Sequence, residues 1–157
     1  MTSAAKHLLI IHGGHVGGRT HCLVGAVERG VLAAEEAIEV RTLRALDAGI
    51  DDLLWANALL IGTPEHFGYM SGAVKDFMDR TFYPAEGKVA GLPYAVFVSA
   101  GNDGTGAVNS IERIALGYQW RRVAEPVIVK GDVTEDGLQR CASLGQTVAA
   151  GLAMGIF

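Results

Sequence analysis

The stretch ALLIGTPEHFGYMSGAVKDFMDRTF, residues 58–82, decides the fold of this chain. It begins inside an apolar run, NALLIGT at 57–63, which predicts a buried strand. Ser71 follows a proline- and glycine-containing loop and predicts the N-cap of a helix. Apolar side chains and one threonine then recur at spacings of three and four, as on one face of a helix: Val74, Phe77, Met78 and Thr81.

The same strand–loop–helix unit recurs along the chain. Four further runs predict strands: HLLII (7–11), AIEVRTL (37–43), YAVFVSA (94–100) and EPVIVKG (125–131). Helical spacing fills most of the intervals, at 20–34, 108–118 and 138–152, and DDLLWA (51–56) allows only a short helix. Strict alternation of strands and helices predicts a doubly wound α/β sandwich around a parallel sheet, as one domain over residues 1–157.

Composition and charge narrow the class of protein. The chain has 157 residues, of which 50% are apolar and 19% charged, as expected for a globular domain. The net charge of −4, with no basic cluster, argues against a nucleic-acid partner. The first apolar run is too short for a signal peptide or membrane span, so we expect a cytoplasmic protein with no membrane association. Cys22 and Cys141 are expected to be buried free thiols.

Three glycine-rich loops follow predicted strands one, three and four. They are HGGHVGGRT (12–20), TPEHFGYMS (63–71) and SAGNDGTG (99–106). The carboxyl ends of parallel strands meet at one edge of a sheet, and ligands of open α/β folds bind there. The sequence therefore predicts a ligand site formed by these three loops.

The first loop has the frame of a nucleotide-binding P-loop, G-x-x-x-x-G-K-[ST], but Arg19 stands at the lysine position. The third strand ends with Glu65 in a turn, whereas a triphosphate hydrolase needs an aspartate there for magnesium. A G-x-G-x-x-G dinucleotide motif is absent from the sequence. Glycines before a helix N-terminus favour one phosphate group, and a tight turn without a ligand is the alternative.

His12, His15 and His21 surround this loop. No cysteine or carboxylate lies at ligand spacing around them, so the sequence predicts no metal site. His12 and His15 are interpreted as hydrogen-bond donors of the loop.

The second loop combines turn residues with aromatic side chains. Pro64 forces a turn after the strand, and Gly68 permits a positive φ. Phe67 and Tyr69 offer a surface on which a flat, conjugated ligand could stack. The alternative is that both rings cover the end of the hydrophobic core.

Taken together, the three loops resemble those of the flavodoxin-like family, above all its NAD(P)H-dependent FMN reductases and quinone reductases. Residues 58–82 are similar to that family's strand, flavin loop and following helix, and VFVSAGNDGTGA (96–107) is similar to the loop after its fourth strand. The resemblance implies a three-layer α/β sandwich with a five-stranded parallel sheet of order 2-1-3-4-5. It also implies that FMN lies across the three loops.

The resemblance assigns three sets of residues to FMN. The phosphate set is Gly14, His15, Val16, Gly17, Gly18, Arg19 and Thr20; the set along the isoalloxazine ring is Pro64, Glu65, His66, Phe67, Gly68 and Tyr69; the set near the pyrimidine edge and ribityl chain is Ser99, Gly101, Asn102, Asp103 and Gly104. The first loop departs from the family's usual S/T-x-T-G-x-T, because Gly14 and Val16 replace hydroxyl residues. We therefore expect backbone amides, Thr20 and Arg19 to hold the phosphate.

The implied activity is hydride transfer from NAD(P)H to flavin and onward to a small acceptor such as a quinone. His66 or Tyr69 is then the expected catalytic proton donor to the acceptor. A flavodoxin-type electron carrier and a flavin-free binding module are the alternatives. The family often forms homodimers or homotetramers, for which four aromatic residues offer a surface, unless they pack the helix ends: Phe82, Tyr83, Tyr118 and Trp120.

Overall fold

The computed structural model describes residues 4–157. The strands are β1 Lys6–His12, β2 Ile38–Arg44, β3 Ala58–His66, β4 Tyr69–Met70, β5 Pro93–Ala100, β6 Arg121–Arg122 and β7 Val127–Lys130. The helices are α1 Arg19–Ala33, α2 Ile50–Trp55, α3 Gly72–Ala85, α4 Thr105–Tyr118 and α5 Glu135–Ala153. The predicted alternation of strands and helices is confirmed, including the short helix α2.

The sheet has the strand order β2-β1-β3-β5-β6, with β7 also paired to β5. All of these pairings are parallel. The predicted 2-1-3-4-5 order is thus confirmed, although the sheet contains seven strands instead of five. The two additional strands, β4 and β6, are two residues long: β4 forms a hairpin with β3, and β6 pairs with the start of β5 before β7 pairs with its end.

Helices cover both faces of the sheet and make two hydrophobic cores. Alternate residues of β1 divide between the cores, with Leu9 and Ile11 facing α2, α3 and α4, and Leu8 and Ile10 facing α1 and α5. All four side chains are fully buried, which explains why this part of the sequence is a continuous apolar run. The arrangement confirms the three-layer flavodoxin-like sandwich.

Helices α1 and α5 approach each other at glycines. A Cβ atom at Gly30 would overlap the backbone carbonyl of Ala142, and one at Gly145 would overlap the carbonyl of Val27. These overlaps involve backbone atoms, which cannot move aside by changing rotamer. The two glycines therefore set the distance between the helices.

The two cysteines differ in environment. Cys141 is buried on α5, and burial raises the pKa of its thiol to about 11. Cys22 is exposed, so the expectation that it is buried was wrong. In the first turns of α1 the core positions belong to Leu23 and Val24, which turns Cys22 outward.

The aromatic residues near the end of α4 pack the interior. Tyr118 and Trp120 are buried and stack with ring centroids 4.2 Å apart. The Tyr118 hydroxyl donates to the carbonyl of Met78 at 2.7 Å. Tyr83, by contrast, is 77% exposed. Tyr118 and Trp120 thus pack helix ends.

Within residues 4–157, no helix is both long enough and apolar enough to span a bilayer.

Candidate functional site

A cavity of about 450 Å³ opens at the carboxyl ends of β1, β3 and β5. It is lined by Gly13, Gly14, His15, Gly17, Gly18, Arg19, Thr20, Pro64, Glu65, His66, Ser99, Ala100 and Gly101. All three glycine-rich loops contribute to its wall. We call it the main cavity.

The N-terminus of α1 points its backbone donors at the main cavity. The N-cap is Gly18, which supplies no capping side chain, and the first turn contains no acidic residue. The backbone N–H groups of Arg19, Thr20 and His21 make no hydrogen bond to any residue in 4–157. Gly17 adopts a φ of 81°, which shapes the loop before the helix. Unpaired donors at the positive end of a 15-residue helix suit an anion such as a phosphate.

Two buried hydroxyls join the first loop to the loop after β5. Thr20 Oγ1 and Ser99 Oγ lie 2.7 Å apart, and the two residues are 3% and 7% exposed. Whichever hydroxyl donates in this bond, its partner keeps its own hydrogen for another acceptor. Because both residues line the main cavity, that second hydrogen is available to a ligand there.

Arg19 is held by a residue that the sequence did not suggest. Its Nη2 lies 2.8 Å from Oδ1 of Asp132, an exposed carboxylate that follows β7. The pair is largely exposed to solvent. Arg19 therefore lies at the cavity wall, and the Asp132 carboxylate would compete with a phosphate in the cavity for its guanidinium.

The second loop is a β-hairpin. His66 and Tyr69 pair across it, and the two residues between them, Phe67 and Gly68, have φ values of 52° and 71°. A two-residue turn with positive φ at both central positions is the type that best matches the twist of antiparallel strands. Its central residues are usually Asn-Gly or Gly-Gly. Phe67 is also fully exposed. A bulky aromatic residue held outward in left-handed backbone is a strained feature, and such features cluster at ligand sites.

Glu65 fastens this hairpin to α4. Its Oε1 accepts the backbone N–H of Gly104 at 3.0 Å, and its Oε2 accepts that of Ala107 at 3.2 Å. Met70 N also donates to Ser110 Oγ at 3.1 Å. The carboxylate thus satisfies donors at the N-terminus of α4. The hairpin lies so close to α4 that a Cβ at Gly106 would overlap its backbone.

The structure divides the predicted cofactor residues into two groups. Those that line the main cavity are Gly14, His15, Gly17, Gly18, Arg19, Thr20, Pro64, Glu65, His66, Ser99 and Gly101. Those outside its lining are Val16, Phe67, Gly68, Tyr69, Asn102, Asp103 and Gly104. Asp103 lies just before α4, where its carboxylate accepts from the hydroxyl of Thr105 at 2.9 Å. Gly13 and Ala100 line the cavity in addition to the predicted residues.

His12 lies at the end of β1 beside this site. It is 7% exposed, and its Nδ1 has no hydrogen-bond partner within residues 4–157. Burial lowers the pKa of His12, and the nearby His21 and Arg44 lower it further, while Glu28 acts in the opposite direction. The same stretch of chain holds no group of three side chains that could ligate a metal ion.

The lowered pKa of His12 predicts a loss of stability in mild acid. Below the unfolded-state pKa of about 6.5, the unfolded chain binds a proton that the folded chain does not, so the free energy of unfolding falls as pH falls toward the folded-state pKa. We expect chemical denaturation at about pH 7.5 and about pH 5.5 to show this fall. The fall is expected to shrink in His12→Gln and to persist in His15→Gln, since His15 is exposed. An identical fall in both variants would contradict the assignment to His12.

The fold and the site together define a flavodoxin-like α/β protein in which unpaired backbone donors at a helix N-terminus and a β-hairpin lie at one cavity. The chain belongs to the NADPH-dependent FMN reductase family, whose family model matches residues 7–131.

Individual relatives agree with this assignment. The chain is 31% identical over 108 residues to an NAD(P)H dehydrogenase (quinone) of Syntrophus aciditrophicus, covering 66% of this chain and 53% of the relative. It is 30% identical over 121 residues to one of Paracoccus denitrificans, covering 74% and 58%. An archaeal flavodoxin structure superposes with a TM-score of 0.77 at 22% identity, covering 93% of this chain and 98% of the other. The chain spans about half the length of the curated relatives it matches.

Proposed function

We propose that this chain binds FMN in the main cavity and passes electrons from NAD(P)H to a small acceptor such as a quinone. One observation carries the proposal: unpaired N–H groups of α1 and the outward-facing Phe67 hairpin belong to loops around the same cavity. The first feature suits a phosphate and the second a flat ring. The family assignment and the quinone-acting relatives support it.

The residues present fit the phosphate and the ring of FMN. The α1 amides, the Thr20–Ser99 hydroxyl pair and Arg19 would hold the phosphate, which compensates for the hydroxyls missing from the first loop. Pro64 and His66 would lie along the ring, with Phe67 at its edge. When bound, FMN supplies hydride-transfer chemistry, and the protein orients the ring and shields it from water. The chain therefore needs no nucleophile of its own.

His66 and Tyr69 are the proposed proton donors to the acceptor. His66 lines the main cavity and is exposed, and Tyr69, its partner across the hairpin, is 41% exposed. Both side chains are thus open to a molecule arriving from solvent. If His66 donates the proton, His66→Ala lowers turnover with a quinone even when FMN is supplied at a saturating concentration. Equal turnover in the variant would assign the role elsewhere.

The proposed function is tested with the purified chain in two steps. FMN is added while its visible spectrum and fluorescence are recorded, and a perturbed spectrum with saturable quenching is expected. NADPH or NADH and a soluble quinone are then supplied without any partner reductase, and steady consumption of the nicotinamide is expected. A spectrum of FMN that stays unperturbed would overturn the proposal at its first step.

The second step also separates the enzyme from an electron carrier. The carrier alternative is favoured by a flavodoxin of Aquifex aeolicus, to which the chain is 32% identical over 89 residues. A carrier would bind FMN but would not oxidise NAD(P)H without a partner. FMN binding without steady turnover would therefore support the carrier.

The Arg19–Asp132 pair predicts a variant that binds FMN more tightly. Asp132→Asn removes a negative charge near the proposed phosphate position and releases Arg19 to contact it. We expect the Kd for FMN to fall by about two- to fivefold, the range typical of one exposed charge pair. Fluorescence titration at low and high salt checks this, and the gain should shrink at high salt. Asp79→Asn, which breaks the exposed Lys75–Asp79 pair on α3, is the matched control and should leave the Kd unchanged.

A further inference from the structure

A second cavity, of about 270 Å³, adjoins the main cavity at the carboxyl ends of β1 and β2. It shares Gly13, Gly14 and His15 with the main cavity, so the first loop forms a wall common to both. Its volume is close to the lower end for small-molecule sites, about 300 Å³. Neighbouring strands lie about 5 Å apart, so one extended ligand could occupy both cavities.

The rim of the second cavity is apolar and exposed. Val16 is 81% exposed and Leu46 is 61% exposed, and both line it. Val16 belongs to the first loop, and Leu46 follows β2. Aliphatic side chains left in solvent around a cavity favour a ligand with a flat or apolar face.

Two polar side chains that line the same cavity, His12 and Arg44, each keep one nitrogen without a hydrogen bond. His12 is more than nine-tenths buried, lines this cavity and has no partner for its Nδ1 among residues 4–157. Arg44 donates from Nε and Nη2 to the carboxylate of Asp47 at 2.7 and 3.2 Å. Its Nη1 makes no hydrogen bond within the described chain, and Asp47 thus fixes the guanidinium with one nitrogen free.

Helix α3 adds a third element. Ala73 in its first turn lines the second cavity. Ser71 accepts the N–H of Val74 through Oγ and that of Lys75 through its carbonyl, but the N–H groups of Gly72 and Ala73 make no hydrogen bond to residues 4–157. The positive end of a 14-residue helix therefore lies at the wall of the second cavity, with two free backbone donors.

We propose that the second cavity binds the adenosine 2′-phosphate end of NADPH. The inference rests on the proposed function, because it takes the electron donor to be a nicotinamide dinucleotide. The adenine ring would lie between Val16 and Leu46, and the 2′-phosphate would face Arg44 and the start of α3. In dinucleotide-binding sheets of another α/β fold, an arginine after the second strand likewise accommodates the 2′-phosphate. Arg44 is the last residue of β2.

The direct test uses two nucleotides that differ only in the 2′-phosphate. Adenosine 2′,5′-bisphosphate and 5′-AMP are titrated by calorimetry into FMN-loaded protein and into FMN-free protein. We expect the bisphosphate to bind about tenfold more tightly, as charge-assisted hydrogen bonds to one phosphate allow. Arg44→Gln is expected to remove this difference, and Arg113→Gln, at an exposed arginine on α4, is expected to retain it.

A second pair of variants tests the apolar rim. Leu46→Asp is expected to weaken the binding of both nucleotides, whereas Leu116→Asp, at another exposed leucine on α4, leaves both affinities unchanged. In turnover, Arg44→Gln should raise the KM for NADPH about tenfold and leave the KM for NADH unchanged. Because Arg44→Gln leaves Asp47 unpaired, Arg44→Gln/Asp47→Asn with the same result shows that the effect is not one of folding.

The outcomes separate this inference from the proposed function. Equal affinity for both nucleotides, or no binding of either while FMN binds normally, overturns the inference and leaves the proposed function intact. Nucleotide binding without FMN binding overturns the proposed function alone. A preference for 5′-AMP would show that Asp47, not Arg44, dominates the ribose position, and would also overturn the inference.

Discussion

Replacing Glu65 by alanine is expected to lower the free energy of unfolding by about 2–4 kcal/mol and to weaken FMN binding about tenfold or more. The Glu65 carboxylate accepts the backbone N–H groups of Gly104 and Ala107, so its loss leaves both donors unpaired at the start of α4. It also releases the hairpin from α4. The loop that presents Phe67 then becomes free to move away from the main cavity.

Urea denaturation and FMN titration of the same preparations check this expectation. Glu65→Gln keeps one oxygen acceptor and should fall between wild type and Glu65→Ala in both measurements. Glu86→Ala removes an exposed glutamate whose side chain makes no hydrogen bond to the described residues, and it should match wild type. If Glu65→Ala unfolded at the wild-type urea concentration and bound FMN equally well, the hairpin would not depend on this carboxylate.

Gly30→Ala is expected to lower the free energy of unfolding by about 3 kcal/mol, although the change adds a single methyl group. That methyl would overlap the carbonyl of Ala142 on α5, so the two helices must separate along their contact. The core between α1, α5 and the sheet then loses packing. FMN affinity of the molecules that fold should change little, because the main cavity lies at the ends of the strands.

The same helix offers a matched control. At Gly25 a Cβ would meet only the end of the Arg29 side chain, at 3.5 Å, which is an ordinary contact. Gly25→Ala is therefore expected to stabilise the protein by about 0.5–1 kcal/mol through helix propensity. Urea midpoints that shift in opposite directions for the two variants would support the packing argument. Equal shifts would instead show that helix propensity alone explains the effect of both variants.

The layers and the strand order were predictable because they depend on local patterns. β1 and β5 are buried on both faces, so each is a continuous run of apolar residues. Such a run predicts a strand without any knowledge of the fold. Ser71 was recognisable as an N-cap from its type and position, and it accepts the N–H of Val74 as expected. The prediction for Cys22 was wrong because it rested on residue type and not on position: the apolar stripe of α1, which includes Leu23 and Val24, faces the core and leaves Cys22 outside it.

Site features that depend on distant contacts were not predictable. Glu65 bonds to backbone groups 39 and 42 positions away, and Arg19 pairs with a residue 113 positions away. The hairpin itself was missed because its turn residues are Phe67 and Gly68, whereas the sequence rule for such turns expects Asn-Gly. The role proposed for Arg44 depends on the second cavity, which brings it beside the first loop although the two are about 30 positions apart in the sequence.

Phe67 sets the thermal robustness of the free chain against its capacity to bind a flat ring. Asparagine at this position would adopt the left-handed backbone more readily and would expose less apolar surface, so selection for thermal robustness alone favours it. Phenylalanine lowers the stability of the free chain at this position, and its ring would offset that cost only in a complex with the proposed ligand. The durability of the free chain and the affinity of the proposed complex are thus opposed at this one residue.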